Sequence, residues 1–170
     1  GRKLLDICRA LPDTAMLKVA LEGDRLILRS GRSRFVLSTL PAADFPVIDE
    51  LQQARELKLA QTDVSRLLEK THFAMAQQDV RYYLNGLLLE TGENFIRAVA
   101  TDGHRLAISE IETSGDAGGH QVIIPRKGVL ELQRLLGNGG ELELAIGSNH
   151  LRARLDAIQF TSKMIDGRFP

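Results

Sequence analysis

The densest group of reactive residues in the sequence is Asp102-Gly103-His104-Arg105, inside the stretch VATDGHRLAISE. An acid next to a histidine could orient the ring as a general base, with Ser109 as the nucleophile. The apolar residues that alternate on both sides predict instead two strands joined by a sharp turn, with the glycine supplying the unusual dihedral angles. The residue types by themselves raise three possibilities: a catalytic cluster, a metal site and a structural turn.

The surroundings of this group favour the turn. Neighbouring residues of a strand point to opposite faces, and neither a nucleophile elbow nor a glycine-rich phosphate loop accompanies His104. Metal ligands would have to converge, whereas the histidines are scattered along the chain and the single cysteine, Cys8, is isolated. We therefore predict no catalytic residue, no metal and no cofactor. The four histidines are His72, His104, His120 and His150.

Three amphipathic helices are predicted from apolar residues spaced three and four apart. They cover residues 2–11, 62–75 and 126–136, and Thr62 is expected to cap the second of them. Most of the remaining sequence alternates between apolar and polar residues, which predicts strands. Helices together with antiparallel strands indicate the α+β class.

Three antiparallel meanders are predicted from this alternation. Residues 17–40 and 81–111 each read as three strands, and residues 141–163 read as a further meander. We interpret residues 112–120 as a polar loop. Turns are expected at residues 23–24, 31–33, 92–94 and 148–149, and near Gly103.

The sequence also contains an internal repeat. A shift of 124 residues aligns helix with helix, turn with turn and three strands with three strands, with seven identities over 46 positions. We therefore expect part of one unit at residues 1–46, a linker at residues 47–54 and a complete unit at residues 55–170. Since the chain starts inside a helix, we also expect it to be part of a longer protein.

Charge and composition restrict the possible partners only partly. Lys and Arg together number 22, as do Asp and Glu, so no net field favours nucleic acid or a membrane. No apolar run reaches about 20 residues, so no membrane span is predicted, and a lone cysteine fits a reducing compartment. Paired basic residues on the helices could be ordinary solvated surfaces or a positive track for a phosphate backbone. These pairs are Arg2 with Arg9, Arg66 with Lys70, and Lys127 with Arg134.

Five blocks of sequence together resemble the bacterial sliding clamps, the beta subunits of DNA polymerase III. The blocks are SGRSRFVLSTLPAADFP, MAQQDVRYYLNG, VATDGHRLA, IPRKGVLEL and FTSKMIDGRFP. The resemblance implies a DNA-clamp fold of duplicated units, with antiparallel sheets on the outer face and helices lining the inner face. It implies that residues 1–46 are the C-terminal half of domain 1, that residues 55–170 are a nearly complete domain 2, and that domain 3 is absent.

The same resemblance implies a function without chemistry. The family acts as a cytoplasmic, nucleoid-associated processivity factor in DNA replication, a head-to-tail homodimer that encircles double-stranded DNA without reading its sequence. A hydrophobic pocket captures short motifs of the DNA polymerase III alpha subunit, the clamp loader, translesion polymerases and mismatch-repair proteins. From the residues themselves, a hydrolase that uses Asp102 and His104, and a protein that holds linear duplex DNA unaided, are the alternatives.

Site residues follow from the resemblance by matching motifs, although each could also be an ordinary strand or core residue, Tyr83 above all. The pocket residues are Leu84, Thr101, Gly103, His104, Arg105, Leu106 and Pro170. The DNA-binding residues are Arg2, Gln78, Tyr82, Tyr83 and Lys127. The dimer-interface residues, on what would be an edge strand, are Lys3, Arg32, Arg34, Phe35 and Leu37.

Overall fold

The structure is a computed structural model that describes residues 1–47, 51 and 54–170. The chain divides into two compact units, Gly1–Asp49 and Glu50–Pro170. Most of the predicted linker, 47–54, lies outside the described residues. The assignment of the two units to particular clamp domains stays a prediction. No helix in the described part of the chain is long and apolar enough to cross a membrane.

The first unit consists of one helix followed by a three-stranded antiparallel sheet with β2 in the centre. The turns on either side of β2 contain Gly23 and Gly31, whose φ angles of 60° and 55° favour glycine. The bounds are α1 Arg2–Ala10, β1 Lys18–Glu22, β2 Arg25–Ser30, β3 Ser33–Ser38 and a short 3-10 helix at Ala42–Asp44.

The apolar side chains of the first unit are largely uncovered. Within residues 1–47, all of them described, Ile27 and Leu28 are the buried ones. The predicted helix forms, but its apolar stripe is not buried, and Leu5 on that stripe is 48% exposed. A single helix and a three-stranded sheet offer too little surface to enclose a core of their own.

The second unit places two helices and two sheets around one core. Strands β4, β7, β8 and β9 form an antiparallel sheet in that order, and β5 and β6 form a long hairpin. The bounds are β4 Arg55–Ala60, α2 Gln61–Thr71, β5 Gly86–Thr101, β6 Leu106–Pro125, α3 Arg126–Leu135, β7 Glu141–Ile146, β8 His150–Leu155 and β9 Ile158–Lys163; 3-10 helices lie at His72–Ala74 and Tyr82–Leu84.

One apolar face of each element meets in this core. The predicted stripes of α2 and α3 are buried, with Leu67, Leu68 and Leu132 at most 2% exposed. They pack against alternate residues of β7 and β8 and against the hairpin. At roughly 1.5–3 kcal/mol for each fully buried large side chain, this burial is the main source of the unit's stability. The α+β class is confirmed.

The internal repeat is present in the structure. In each unit a helix is followed by three consecutive antiparallel strands, α1-β1-β2-β3 and α3-β7-β8-β9. Adding 124 to each boundary of the first set gives the corresponding boundary of the second to within one residue; for example, Arg2 maps to 126 and Ser38 maps to 162, next to the end of β9 at Lys163.

The three-strand prediction for residues 81–111 is wrong. The segment contributes β5 and the start of β6, and residues 92–94 continue β5 without reversing the chain. Asn94 has a φ of 62°, and the register shifts twice between Thr91 and Phe95, because β6 has extra residues at 113–115 and 117–119, as in a β-bulge. Residues 112–120, read as a loop, belong to β6, because β6 continues across from the whole of β5.

The predicted cap at Thr62 is also wrong. Helix α2 begins at Gln61, and no side chain caps it. The buried Gln61 side chain instead accepts the Gly137 N–H at 2.8 Å and donates to the Glu141 carbonyl at 3.2 Å, which ties the start of α2 to the connection between α3 and β7. The helix also ends four residues earlier than predicted, where Thr71 Oγ1 donates back to the Leu67 carbonyl.

Candidate functional site

The bend formed by residues 101–106 joins β5 to β6, and its shape is fixed by its own side chains. Asp102 Oδ1 accepts the main-chain N–H groups of His104 and Arg105, both at 3.0 Å. Thr101 Oγ1 accepts the Gly103 N–H at 3.1 Å and donates to the Arg105 carbonyl at 2.6 Å. Three N–H groups and one carbonyl of the four residues between the strands are thus satisfied locally, as in Asx and Ser/Thr turns.

Two separate features of this bend favour glycine at position 103. Its φ of 87° lies in the region that side chains disfavour. In addition, a Cβ atom at this position would lie 3.0 Å from Arg81 Nη2, closer than ordinary contact. The predicted turn is therefore present, and its glycine also makes room for a neighbouring guanidinium.

The charged residues of the bend serve the main chain and one another. Hydrogen bonds from the N–H groups of His104 and Arg105, and then the charge of Arg105, lower the pKa of Asp102. Arg105 donates to Asp102 Oδ2 at 3.1 Å and to the Phe73 carbonyl at 2.6 Å, with its guanidinium 5.7 Å from the Phe73 ring centre.

This arrangement argues against the hydrolase reading. Both oxygens of the Asp102 carboxylate are engaged by the main chain and Arg105, so the carboxylate is not positioned to orient the His104 ring. Among the described residues, no three side chains of His, Cys, Asp or Glu are grouped so as to hold a metal ion.

An exposed apolar strip begins at the bend. Leu106 and Ile108 lie on the same face of β6 and are 60% and 58% exposed. They are paired across the hairpin with Thr101 and Val99. A partner side chain could remove this strip from water, which is the driving force expected of a motif-binding surface.

The remaining pocket residues are arranged unequally. Leu84 is 2% exposed in the 3-10 helix, so it offers little surface to a partner in this structure. Pro170 is exposed. Its neighbour Phe169 packs against a small cluster that includes Val99, which lies two residues before Thr101. His104 and Arg105 are exposed.

The DNA-side predictions fall into separate groups. Gln78 and Lys127 line one groove of about 500 Å³, while Arg2 belongs to the first unit. Tyr82 is 58% exposed, but Tyr83 is half-buried against the small cluster around Val99, as the core reading of Tyr83 allowed. The groove is lined by Ala76, Gln77, Gln78, Asn85, Arg126, Lys127, Leu130, Glu131 and Arg134.

The basic residues on the helices contribute less positive electrostatic potential than their spacing in the sequence predicts. Arg66 pairs with Asp63 at 3.0 Å, and Arg134 pairs with Glu131 at 3.1 Å, each one turn apart on its own helix. An exposed pair of this kind contributes little to stability, but it cancels the charge that a phosphate would meet.

The predicted interface residues all lie in the first unit. Strand β3 pairs with β2 alone among the described strands, so β3 is an edge of its sheet. Phe35 and Leu37 on β3 are half-buried. Leu37 lines a cavity of about 710 Å³ together with Lys3. Arg32, in the turn before β3, and Arg34 are exposed.

Sequence reasoning missed the residues that connect the bend to the preceding loop. Arg81 forms a two-point ion pair with Asp79, at 2.8 and 3.0 Å, and its Nη2 also lies 3.5 Å from the Asp102 carbonyl. Hydrogen bonds from the Arg81 side chain and main chain lower the pKa of Asp79 to about 2. The two-residue spacing of acid and arginine in QQDVRYYLNG is the one signal that could have indicated the pair.

Comparison with protein families shows matches over most of the chain. Residues 58–170 match the central domain of the DNA polymerase III beta subunit, and residues 1–49 match its N-terminal domain.

Curated relatives and solved structures agree with these matches. Over the whole chain, the sequence is 57% identical to the beta sliding clamp of Proteus mirabilis and 55% identical to that of Escherichia coli K12. It spans about half of each, 47%. A crystal structure of DNA polymerase III subunit beta from Pseudomonas aeruginosa, 50% identical, superposes with a TM-score of 0.90 over 99% of this chain and 47% of that one. Another structure from the same organism, bound to griselimycin, gives a TM-score of 0.88.

Proposed function

The chain belongs to the family of DNA polymerase III beta subunits, the beta sliding clamps, and on this premise we propose that it is part of a processivity factor for DNA replication. The whole protein would encircle duplex DNA as a head-to-tail dimeric ring in the bacterial cytoplasm, at the nucleoid. It would perform no reaction itself and would tether polymerases, the clamp loader and repair proteins.

The docking role is assigned to the bend of residues 101–106. One observation carries this assignment: a turn rigidly held by its own side chains stands beside the exposed apolar pair Leu106 and Ile108. Because the turn is already ordered before a peptide docks, binding does not lose free energy in ordering it. The strip provides apolar area that the peptide can cover. Each buried anchor should contribute roughly 1.5–3 kcal/mol, which places isolated motifs near micromolar affinity.

The DNA-facing role is assigned to the groove that Gln78 and Lys127 line and, separately, to Tyr82. Tyr82 is 58% exposed, so its ring could stack on an unpaired base. The acids Asp63 and Glu131 offset neighbouring arginines, so few phosphates would be neutralised. Weak phosphate neutralisation gives weak salt dependence and lets a ring move along DNA.

The edge strand β3 is assigned to the subunit interface of the full-length ring. Among the described strands β3 pairs only with β2, so the main-chain groups on its other side would pair with a strand from the partner subunit, and the half-buried Phe35 and Leu37 would pack against that strand. This chain by itself should therefore retain linear duplex DNA negligibly at physiological salt, because topology supplies the holding force in a ring.

Peptide titration tests the docking role. A fluorescein-labelled synthetic peptide rich in Gln and Leu, of the kind found in polymerase tails, is titrated into the chain and followed by anisotropy. We expect micromolar binding that Arg105→Ala weakens roughly tenfold, because Arg105 fastens the bend to the Phe73 carbonyl.

Arg66→Ala serves as the control for this titration. Arg66 is paired with Asp63 three residues before it, as Arg105 is with Asp102, but it lies on α2 and not on the hairpin. It should bind the peptide as the unaltered chain does. Absence of binding by the unaltered chain would refute the docking role for this part of the protein.

A further inference from the structure

Asn85 closes the loop that precedes the hairpin. Its Nδ2 donates to the Asp79 carbonyl at 2.8 Å, and its Oδ1 accepts the Asp79 N–H at 2.9 Å. One side chain thereby pairs with both main-chain groups of a single residue, as a neighbouring strand would do. The loop between Asp79 and Asn85 is consequently a closed ring of defined shape.

The main chain of Asn85 connects this loop to the groove. Its carbonyl accepts the N–H of Arg126 at 3.0 Å, and Arg126 is the first residue of α3. The first N–H groups of a helix have no partner inside the helix, so this bond fixes where α3 starts. Gln78 and Lys127, the proposed DNA contacts, line the same groove as Asn85.

The other side of the loop reaches the bend. The Asp79 carboxylate accepts three hydrogen bonds from Arg81: from the main-chain N–H at 2.8 Å, from Nε at 3.0 Å and from Nη2 at 2.8 Å. The Arg81 guanidinium so held lies against Gly103, and its Nη2 is 3.5 Å from the Asp102 carbonyl. Contacts therefore run without a break from Asn85, through Asp79 and Arg81, to the bend.

We propose that Asn85 is a positioning residue that holds the peptide-docking bend and the DNA-facing groove in one fixed arrangement. It acts on the bend through Asp79 and Arg81, and on the groove through Arg126. The significance of this role for partner binding rests on the proposed function. The structural part of the proposal, that one residue joins both surfaces through its side chain and its main-chain carbonyl, does not.

Aspartate is the most informative replacement at this position. Asn85→Asp preserves the size of the side chain, but it replaces the donor that faces the Asp79 carbonyl with an acceptor. It also adds a negative charge close to the Asp79 carboxylate. Asn85→Ala removes both side-chain hydrogen bonds without adding charge, and it provides a second variant should the aspartate prevent folding.

Amide hydrogen exchange without any ligand tests the structural part. We expect the amides of Gly103, His104 and Arg105 in the bend to exchange roughly tenfold faster in Asn85→Asp. The Arg126 amide should also exchange faster, because its acceptor is the main-chain carbonyl of Asn85, in a loop that the substitution opens. Amides of β7 in the core should be unchanged. Asn138→Asp, the same change at an exposed position after α3, is the control and should leave all of these rates as they were.

Peptide affinity tests the functional part. The labelled Gln- and Leu-rich peptide should bind Asn85→Asp roughly five- to tenfold more weakly, and Asn138→Asp as tightly as the unaltered chain. Bend and α3 amides that exchange as in the control, or faster exchange spread evenly over β7 as well, would overturn the proposal. If the unaltered chain binds no peptide, the docking function fails while the exchange rates still decide whether Asn85 fixes both surfaces.

Discussion

At the scale of single residues, the main chain of the bend is held by the side chains of Thr101 and Asp102. Asp102 and Thr101 direct their oxygens at neighbouring N–H groups and a carbonyl, whereas the His104 and Arg105 side chains stand at the surface. Gly103 allows this because it adopts a positive φ and leaves space for Arg81. Steric exclusion and backbone strain at Gly103 are separable by mutation.

Gly103→Ala should lower the free energy of unfolding by about 1–3 kcal/mol, through a strained φ together with a clash against Arg81. In an Arg81→Ala background the clash is removed, so the same substitution should cost less. Urea denaturation of the four proteins in this cycle measures the difference. Gly115→Ala is the matched control, because Gly115 has a φ of 108° with no neighbouring atom within 4 Å, and its cost should be equal in both backgrounds. Equal costs for Gly103→Ala in the two backgrounds would contradict the steric role.

At the scale of elements, the second unit is joined by side chains that bond to distant main chain. Gln61 is 3% exposed at the start of α2, and its amide spans the connection between α3 and β7. The Gln61 N–H also donates to the Gly140 carbonyl at 3.0 Å. These hydrogen bonds fix the start of α2 against the connection that follows α3.

Gln61→Ala should therefore lower the free energy of unfolding of the second unit by about 1–3 kcal/mol, because two hydrogen bonds are lost at a buried position. Thermal or urea unfolding followed by far-UV circular dichroism measures this change. Gln159→Ala, at an exposed glutamine on β9, should change it by less than about 0.5 kcal/mol. A Gln61→Ala variant as stable as the Gln159 control would rule out the junction as a stabilising element.

Elements with local signals were predicted well from sequence, and those defined by distant pairing were not. The three helices and the turn at Gly103 follow from spacing along a few residues, and all are present. Residues 92–94 carry turn-forming residue types, but long-range pairing with β6 keeps them within β5, which no local pattern could reveal. Likewise, the link from Asn85 to the bend depends on Arg81 meeting Asp102, 21 residues further along the chain. Strand β4 was missed although Leu57 and Leu59 alternate within it, because the segment is short and charged.

At the scale of the whole molecule, the two units differ in how completely they are packed. The second unit encloses a core made by both helices and both sheets, while the described part of the first unit buries Ile27 and Leu28. Both contain the same helix and three-stranded meander. The repeated local pattern is therefore sufficient to specify secondary structure, but the surrounding elements decide whether a core forms.

The segment Glu50–Pro170, produced alone, should fold cooperatively with the far-UV circular dichroism of a mixed helix and sheet protein. The segment Gly1–Asp49 alone should remain largely unfolded, since two buried side chains cannot offset the conformational entropy of about 50 residues. Circular dichroism and urea titration of the two separate segments check this. A cooperative transition in the shorter segment would show that packing outside the described contacts supports it.

The uncovered sheet of the first unit also affects how readily the molecules associate with one another in solution. Val19, Leu21 and Val36 on its strands, with Leu40 just beyond β3, expose apolar area to the solvent, and the isoelectric point expected from the sequence is about 7.1. Near that pH the net charge is close to zero and electrostatic repulsion between molecules is weakest, so these apolar faces associate readily. A concentrated solution at neutral pH should therefore become turbid at a lower protein concentration than solutions one or two pH units away.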